Sequence, residues 1–206
     1  MSSGMPATPS SPSRWPSDVR LATPSSWFDL DLDPRTRARS HRRLVTRRIG
    51  GGPDGAGLRR QVVHELEAAA GQAVAAGARF ASVYSEMHDR LPVAATLLGV
   101  FRGRMAEQTP DGDPDLRAAA EALRRATPSG CCELVDLPAG PALRRRHQVA
   151  VERSGRTKLT DNVEFIVPVP GPGGTLVLEF STPTLPVADA LAELFDAIAT
   201  SLRWQH

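Results

Sequence analysis

The hydrophobic pattern of this chain changes period near its C-terminal end. Val163 to Val169 and Thr175 to Phe180 are two apolar runs of strand length. Pro170-Gly171-Pro172-Gly173-Gly174 separates them, which predicts a β-hairpin. From Val187 to Trp204 the apolar residues recur at three- and four-residue spacing instead, which predicts an amphipathic helix lying on the sheet.

The same reading covers the rest of the chain. Trp27-Phe28-Asp29-Leu30-Asp31-Leu32 alternates, giving a short strand with Phe28, Leu30 and Leu32 on one face. Asp33-Pro34 predicts a helix start, and Gly50-Gly51-Gly52-Pro53 its end. A second helix is expected from about Gly57 to Ala76, with Leu58, Val62, Leu66, Ala69, Ala73 and Ala76 as its packed stripe and Gly77 closing it. Arg79 to His88 and Pro92 to Arg102 read as a strand pair turning at Asp89-Arg90-Leu91. Asp113-Pro114 marks another helix, to about Ala126. Cys131 to Leu137 and Leu143 to Arg153 read as two more strands, with turns at 138–141 and 154–158.

Sequential strands joined by short turns favour antiparallel pairing. The expected fold class is α+β: one antiparallel sheet of about six or seven strands, helices packed on it, and a closing C-terminal helix. Residues 1–26 are Ser/Pro-rich and read as a disordered tail, and residues 27–206 as a single α+β domain.

Composition narrows the setting more than the chemistry. The formal charge is +2, and of 25 Lys and Arg residues only Lys158 is a lysine. That arginine bias accompanies abundant Ala, Gly and Pro and is what a high-GC genome writes into any protein. No run of about 18 apolar residues is present, so no membrane span is expected. The N-terminus lacks the apolar stretch of a signal peptide. Adjacent Cys131 and Cys132 point to opposite faces of a strand and suggest a reducing compartment. The expected localisation is cytoplasmic.

Several segments carry a resemblance. Trp27 to Leu32, Val135-Asp136-Leu137-Pro138-Ala139-Gly140-Pro141, Val167-Pro168-Val169-Pro170-Gly171 and Leu178-Glu179-Phe180-Ser181-Thr182-Pro183 resemble a group of uncharacterised actinobacterial proteins over residues 27–204. Residues 160–204 also resemble the PsbP-like fold of some mycobacterial lipoproteins. Neither resemblance implies catalytic or ligand-binding residues.

Candidate chemistry is sparse. No nucleophile constellation, metal-ligand spacing or phosphate loop is present, so no catalytic residue, metal or cofactor is expected. His64 has no second histidine at i+4. Arg35, Arg39, Arg43 and Arg47 repeat every four residues, with Arg42 beside them, while Ala38, Val45 and Ile49 form the opposite stripe. Like charges at this spacing repel. The ladder is either a solvated face, or paired with this chain's own acids, or a docking surface for an acidic partner. The closing helix offers a counter-charge stripe in Asp189, Glu193 and Asp196. Without aromatic, Asn or Gln residues, the ladder argues against specific nucleic-acid recognition, leaving nonspecific binding as a lesser alternative.

Arg144-Arg145-Arg146-His147 interrupts its strand. Leu143, Val149 and Val151 should share the core face, which would carry Arg145 and His147 inward. Either the strand is frayed or bulged there, or Arg145 and His147, with Tyr84, line a cleft that binds an anion. Tyr84, Glu86 and His88 alternate on one strand face, read as solvated. The leading reading is thus a non-catalytic interaction protein with an acidic-surfaced partner. The alternative is a small-ligand-binding domain or enzyme with the anion cleft.

Overall fold

Seven antiparallel strands in the order β2-β3-β4-β8-β7-β6-β5 form the centre of the computed structural model. The structure describes residues 18–49, 55–109, 114–153, 156–171 and 174–205. The strands are β2 (Trp27–Asp29), β3 (Ala78–His88), β4 (Leu91–Arg102), β5 (Cys131–Leu137), β6 (Gly140–Arg153), β7 (Arg156–Val169) and β8 (Gly174–Thr182). A separate pair joins β1 (Asp18–Arg20) to β9 (Arg203–Gln205). The helices are α1 (Arg37–Ile49), α2 (Ala56–Ala75), α3 (Leu116–Ala126) and α4 (Ala188–Thr200). The α+β expectation, with one antiparallel sheet and a C-terminal helix, holds.

Each face of the sheet has its own cover. On one side α4 lays Leu191, Phe195, Ile198 and Ala199 onto Phe165, Leu178 and Phe180. Phe180 stacks on Phe195 with ring centroids 4.8 Å apart, and Phe165 meets Phe180 edge-on. On the other side α2 packs through Ala73 against Ala81 and Leu98, and α3 packs through Ala119 and Ala120 against Cys132 and Leu143. On β7 and β8 the α4-facing positions, Val163, Phe165, Val167, Leu176, Leu178 and Phe180, are fully buried, and the alternate positions between them are half-buried.

Turns fix the hairpins. Asp89 and Arg90 both take positive φ, 46° and 72°, which suits the tight β3–β4 connection. Gly99 on β4 leaves room for Phe80, since a Cβ there would lie 2.0 Å from the Phe80 ring. The N-cap of α3 is Asp115, whose carboxylate accepts from the amides of Arg117 and Ala118.

Four local readings are revised. Residues 18–20, which composition places in the tail, form β1 and pair with residues 203–205, so the chain after α4 is a strand rather than more helix. Leu58 is 54% exposed and stands off the packed stripe of α2. The pairing of β6 with β7 runs without a bulge from Leu143 to Arg153. Tyr84 is buried against Trp27 rather than solvated. The glycine-rich linker 50–53, Asp113, the turn at 154–155, residues 1–17 and the side chains of Ile49 and Val151 lie outside the described residues.

Candidate functional site

Two regions hold the residues singled out from sequence. The first is α1. The Asp33 carboxylate accepts from the Arg35 amide at 2.8 Å, and its carbonyl accepts from the Thr36 and Arg37 amides, winding the chain into the helix. His41 and Val45 face inward, 1% and 3% exposed. The inward His41 was not foreseen: burial lowers its pKa, so it sits there as a neutral ring. Arg35, Arg39, Arg42, Arg43 and Arg47 are all exposed. Arg42 Nε donates to the Ala38 carbonyl at 2.9 Å. Among the described residues, the side chains of Arg39, Arg43 and Arg47 make no hydrogen bond or ion pair. They line an open groove of about 920 Å³ with Asp31, Thr36 and Thr46.

The acids of α4 do not reach this ladder. Asp196 takes Arg144 in a bidentate pair, at 2.6 and 3.1 Å, and Asp189 takes Arg146 at 2.7 Å. Both arginines project from β6 to the α4 side, whereas α1 lies on α2, which packs on the other side. Asp189 and Asp196 of the closing-helix stripe therefore neutralise β6 rather than α1.

The second region lies on the helix side of the sheet that carries α2 and α3. Strand register sets it out in two rows. Thr96, Ser181, Asn162 and His147 stand side by side from β4 across β8 and β7 to β6. The next row runs Leu98, Glu179, Glu164, Arg145 and Cys132. Arg145 lies 3.4 Å from the Glu164 carboxylate and donates to Thr127 Oγ1 at 3.0 Å. Thr96 and Ser181 hydroxyls share a 2.8 Å hydrogen bond.

This region is incompletely satisfied. Arg145 Nε, His147 Nδ1 and Asn162 Oδ1 are buried without a hydrogen-bond partner. Each such group costs about 1–3 kcal/mol when left unpaired. Burial raises the pKa of Glu164, against the attraction of Arg145. Burial and then the facing Glu164 raise that of Glu179, against His147 and Arg102. Burial, followed by Arg145, lowers that of His147.

Arg145 and His147 thus come together, on adjacent rows of one face. Tyr84 does not join them. It packs on the α4 side with Trp27, where its hydroxyl contacts the His88 ring. Glu164, Glu179 and Asn162 were missed in sequence. Their signal was present: a glutamate at an alternate position inside each of two otherwise apolar strands. Cys131 is exposed and Cys132 buried, both free thiols. Among the described residues, no cluster of His, Cys, Asp and Glu has metal-binding geometry, and no helix is long and apolar enough to cross a membrane.

Comparison with known proteins gives the fold only limited company. No family model and no curated protein matches the chain. Among solved structures, it is similar to LpqN of Mycobacterium tuberculosis, a protein involved in cell envelope biogenesis. That likeness has 12% identity and a TM-score of 0.46, covering 98% of this chain and 90% of the other. The cyanobacterial PsbP of Synechocystis sp. PCC 6803 is similar at 12% identity and a TM-score of 0.33, over 90% and 86% of the two chains. Both are low-level resemblances and assign no function here.

Proposed function

We propose that this is a non-catalytic interaction protein that docks an acidic protein surface on the exposed face of α1. One observation carries the reading: the Arg39, Arg43 and Arg47 side chains are exposed and without a partner among the described residues, while Asp189 and Asp196 of α4 are engaged by Arg146 and Arg144. Like charges stacked along a helix raise the free energy of the unbound state, and an acidic partner relieves that repulsion. The absence of base-stacking aromatics on the ladder favours protein over nucleic acid.

The test compares an oligo-glutamate peptide with a single-stranded DNA of the same charge. Wild-type protein should bind the peptide, with affinity falling steeply as salt rises, because exposed charges are screened over about 10 Å at 0.1 M. The double reversal Arg39→Glu/Arg43→Glu should abolish that binding and leave the melting temperature unchanged or slightly raised. Undiminished peptide binding by the reversal variant would sink the proposal. Equal or tighter binding of the DNA would transfer the surface to nonspecific nucleic-acid binding.

We place the protein in the cytoplasm, on the support of two free cysteines side by side in β5. Fractionation of the native cell tests this, and recovery in the envelope fraction would overturn it.

A further inference from the structure

The two polar rows on the α2/α3 side of the sheet hold more acceptors than their neighbours satisfy. Glu164 and Glu179 stand directly opposite each other on the two central strands β7 and β8. Like charges so placed destabilise a sheet. Arg145 compensates Glu164 alone, at 3.4 Å. Among the described residues the Glu179 carboxylate has no hydrogen bond or ion pair. In the adjoining row Asn162, only 7% exposed, leaves its Oδ1 unpartnered, and neutral His147 leaves Nδ1 unpartnered. Arg145 Nε is an unpaired donor, and His147 Nδ1 is a donor or an acceptor according to its tautomer. Thr96, Glu164, Glu179 and Ser181 are only half-buried, so the strip is reachable from solvent.

We infer that this strip binds a small organic cation, an ammonium or guanidinium group, seated between the carboxylates of Glu164 and Glu179, with the Asn162 amide oxygen accepting a further hydrogen bond. A cationic N–H donor removes the carboxylate repulsion, and a turn of the Asn162 amide, whose oxygen is covered in the unbound strip, supplies the further acceptor. Arg145 holds Glu164 in place and is a positioning residue. An anion meets the facing carboxylates of Glu164 and Glu179, of which only Glu164 has an ion pair among the described residues. The inference stands on a different face from the α1 ladder and is independent of it.

The experiment uses the full chain, isotope-labelled, with amide resonances followed by NMR. The probes are methylguanidinium and butylammonium chlorides, set against 1,4-butanediol and inorganic phosphate. The two cations should shift the amides of residues 162–165 and 178–181 saturably, and the diol and phosphate should not. Glu179→Gln should weaken cation binding by about tenfold or more. That variant loses a like-charge contact, so it should fold at least as well as wild type.

Affinity for the cations should also fall on acidification. The pKa of Glu179 is raised by burial and by Glu164, more than His147 and Arg102 lower it, and the protonated carboxyl loses its attraction. If Glu179→Gln does not fold, this pH series on wild type decides. A strip that shows no saturable shift with either cation overturns the inference. So does phosphate shifting the same amides, unaltered affinity in Glu179→Gln, or an affinity that does not weaken in acid.

Discussion

Arg144 and Arg146 leave β6 on the α4 side of the sheet, and Arg145 and His147 leave it on the α2/α3 side. The four are consecutive, yet they end in opposite circumstances. Arg144 is held by Asp196 and Glu133, and Arg146 by Asp161 and Asp189, all within 3.1 Å. Burial disfavours their charge, but these hydrogen bonds and attractions more than offset it and keep both pKa values raised. Arg145 has one ion pair at 3.4 Å and an unpaired Nε, and His147 has an unpaired ring nitrogen. A sheet built for stability alone would finish both sides alike. Around β6 the α4 side is scaffold, with Trp27 Nε1 the exception elsewhere on that side, and the α2/α3 side is where a ligand can supply what is missing.

Charge removal should therefore have opposite signs on the two sides. Asp161 is 3% exposed and pairs with Arg146 at 2.8 Å. Asp161→Ala should cost roughly 3 kcal/mol in chemical denaturation, near the lower end for breaking a buried pair, because Arg146 keeps Asp189. Glu179→Gln should cost nothing or stabilise slightly. Equal losses from the two substitutions would mean that the α2/α3 side is as well satisfied as the other, and the contrast would dissolve.

The α4 side also depends on a strand that composition assigns to a tail. β1 pairs with β9, Val19 and Leu21 pack on the α4 core, and the Ala22 amide donates to Ser201 Oγ at 2.8 Å. Truncation to begin at Ser26 should lower stability by about 1–3 kcal/mol, the scale of burying one or two aliphatic side chains. A truncated chain with an unchanged denaturation midpoint would show that the β1–β9 pair is an ornament of the α4 side rather than part of its closure.

The architecture was legible because its signals are local. Periodicity located β3 to β6, β8 and the four helices within a few residues, since alternation and three-to-four spacing report which side of an element is buried, but β7 begins at Arg156, seven residues before the apolar run that marked it and inside the expected turn. Alternation around Leu143 and Val149 offered the inward course of Arg145 and His147 as one of two readings, the other being a frayed or bulged strand. Three things were not legible. β1 is three residues long, and its reason to be a strand is a partner nearly two hundred residues away. The pairing of Asp189 and Asp196 with Arg146 and Arg144 depends on which side of the sheet α4 covers, which spacing does not encode. Glu164 and Glu179 each stand out in an apolar run, but nothing local says that they meet. Only the β7–β8 register sets them opposite each other.

The smallest expected effect is an acid sensitivity on the α2/α3 side, and its sign can be worked out. His41 and His147 are buried with pKa values below the ordinary 6.5. Burial dominates in each. For His41, Glu67 and Asp31 raise the pKa and Arg37 lowers it. For His147, Arg145 lowers it and Glu179 and Asp161 raise it. The unfolded chain takes up these protons first as the pH drops below about 6.5, so stability is complete above that value and is lost toward the lower, folded pKa values. Glu164 and Glu179 act in the reverse sense. Their folded pKa values lie above the ordinary 4.5, so the folded state protonates first and gains stability as the pH falls toward 4.5. Each proton contributes at most about 1.4 kcal/mol per pH unit, and the opposing terms partly cancel. Denaturation curves at pH 7.5 and 5.5 should show a modest loss in the wild type. The loss should be smaller in His41→Leu, which removes one titrating ring, and larger in Glu179→Gln, which removes one compensating carboxyl. A pH response that neither substitution changes would assign the acid sensitivity elsewhere and leave the unfinished side of the sheet electrostatically silent.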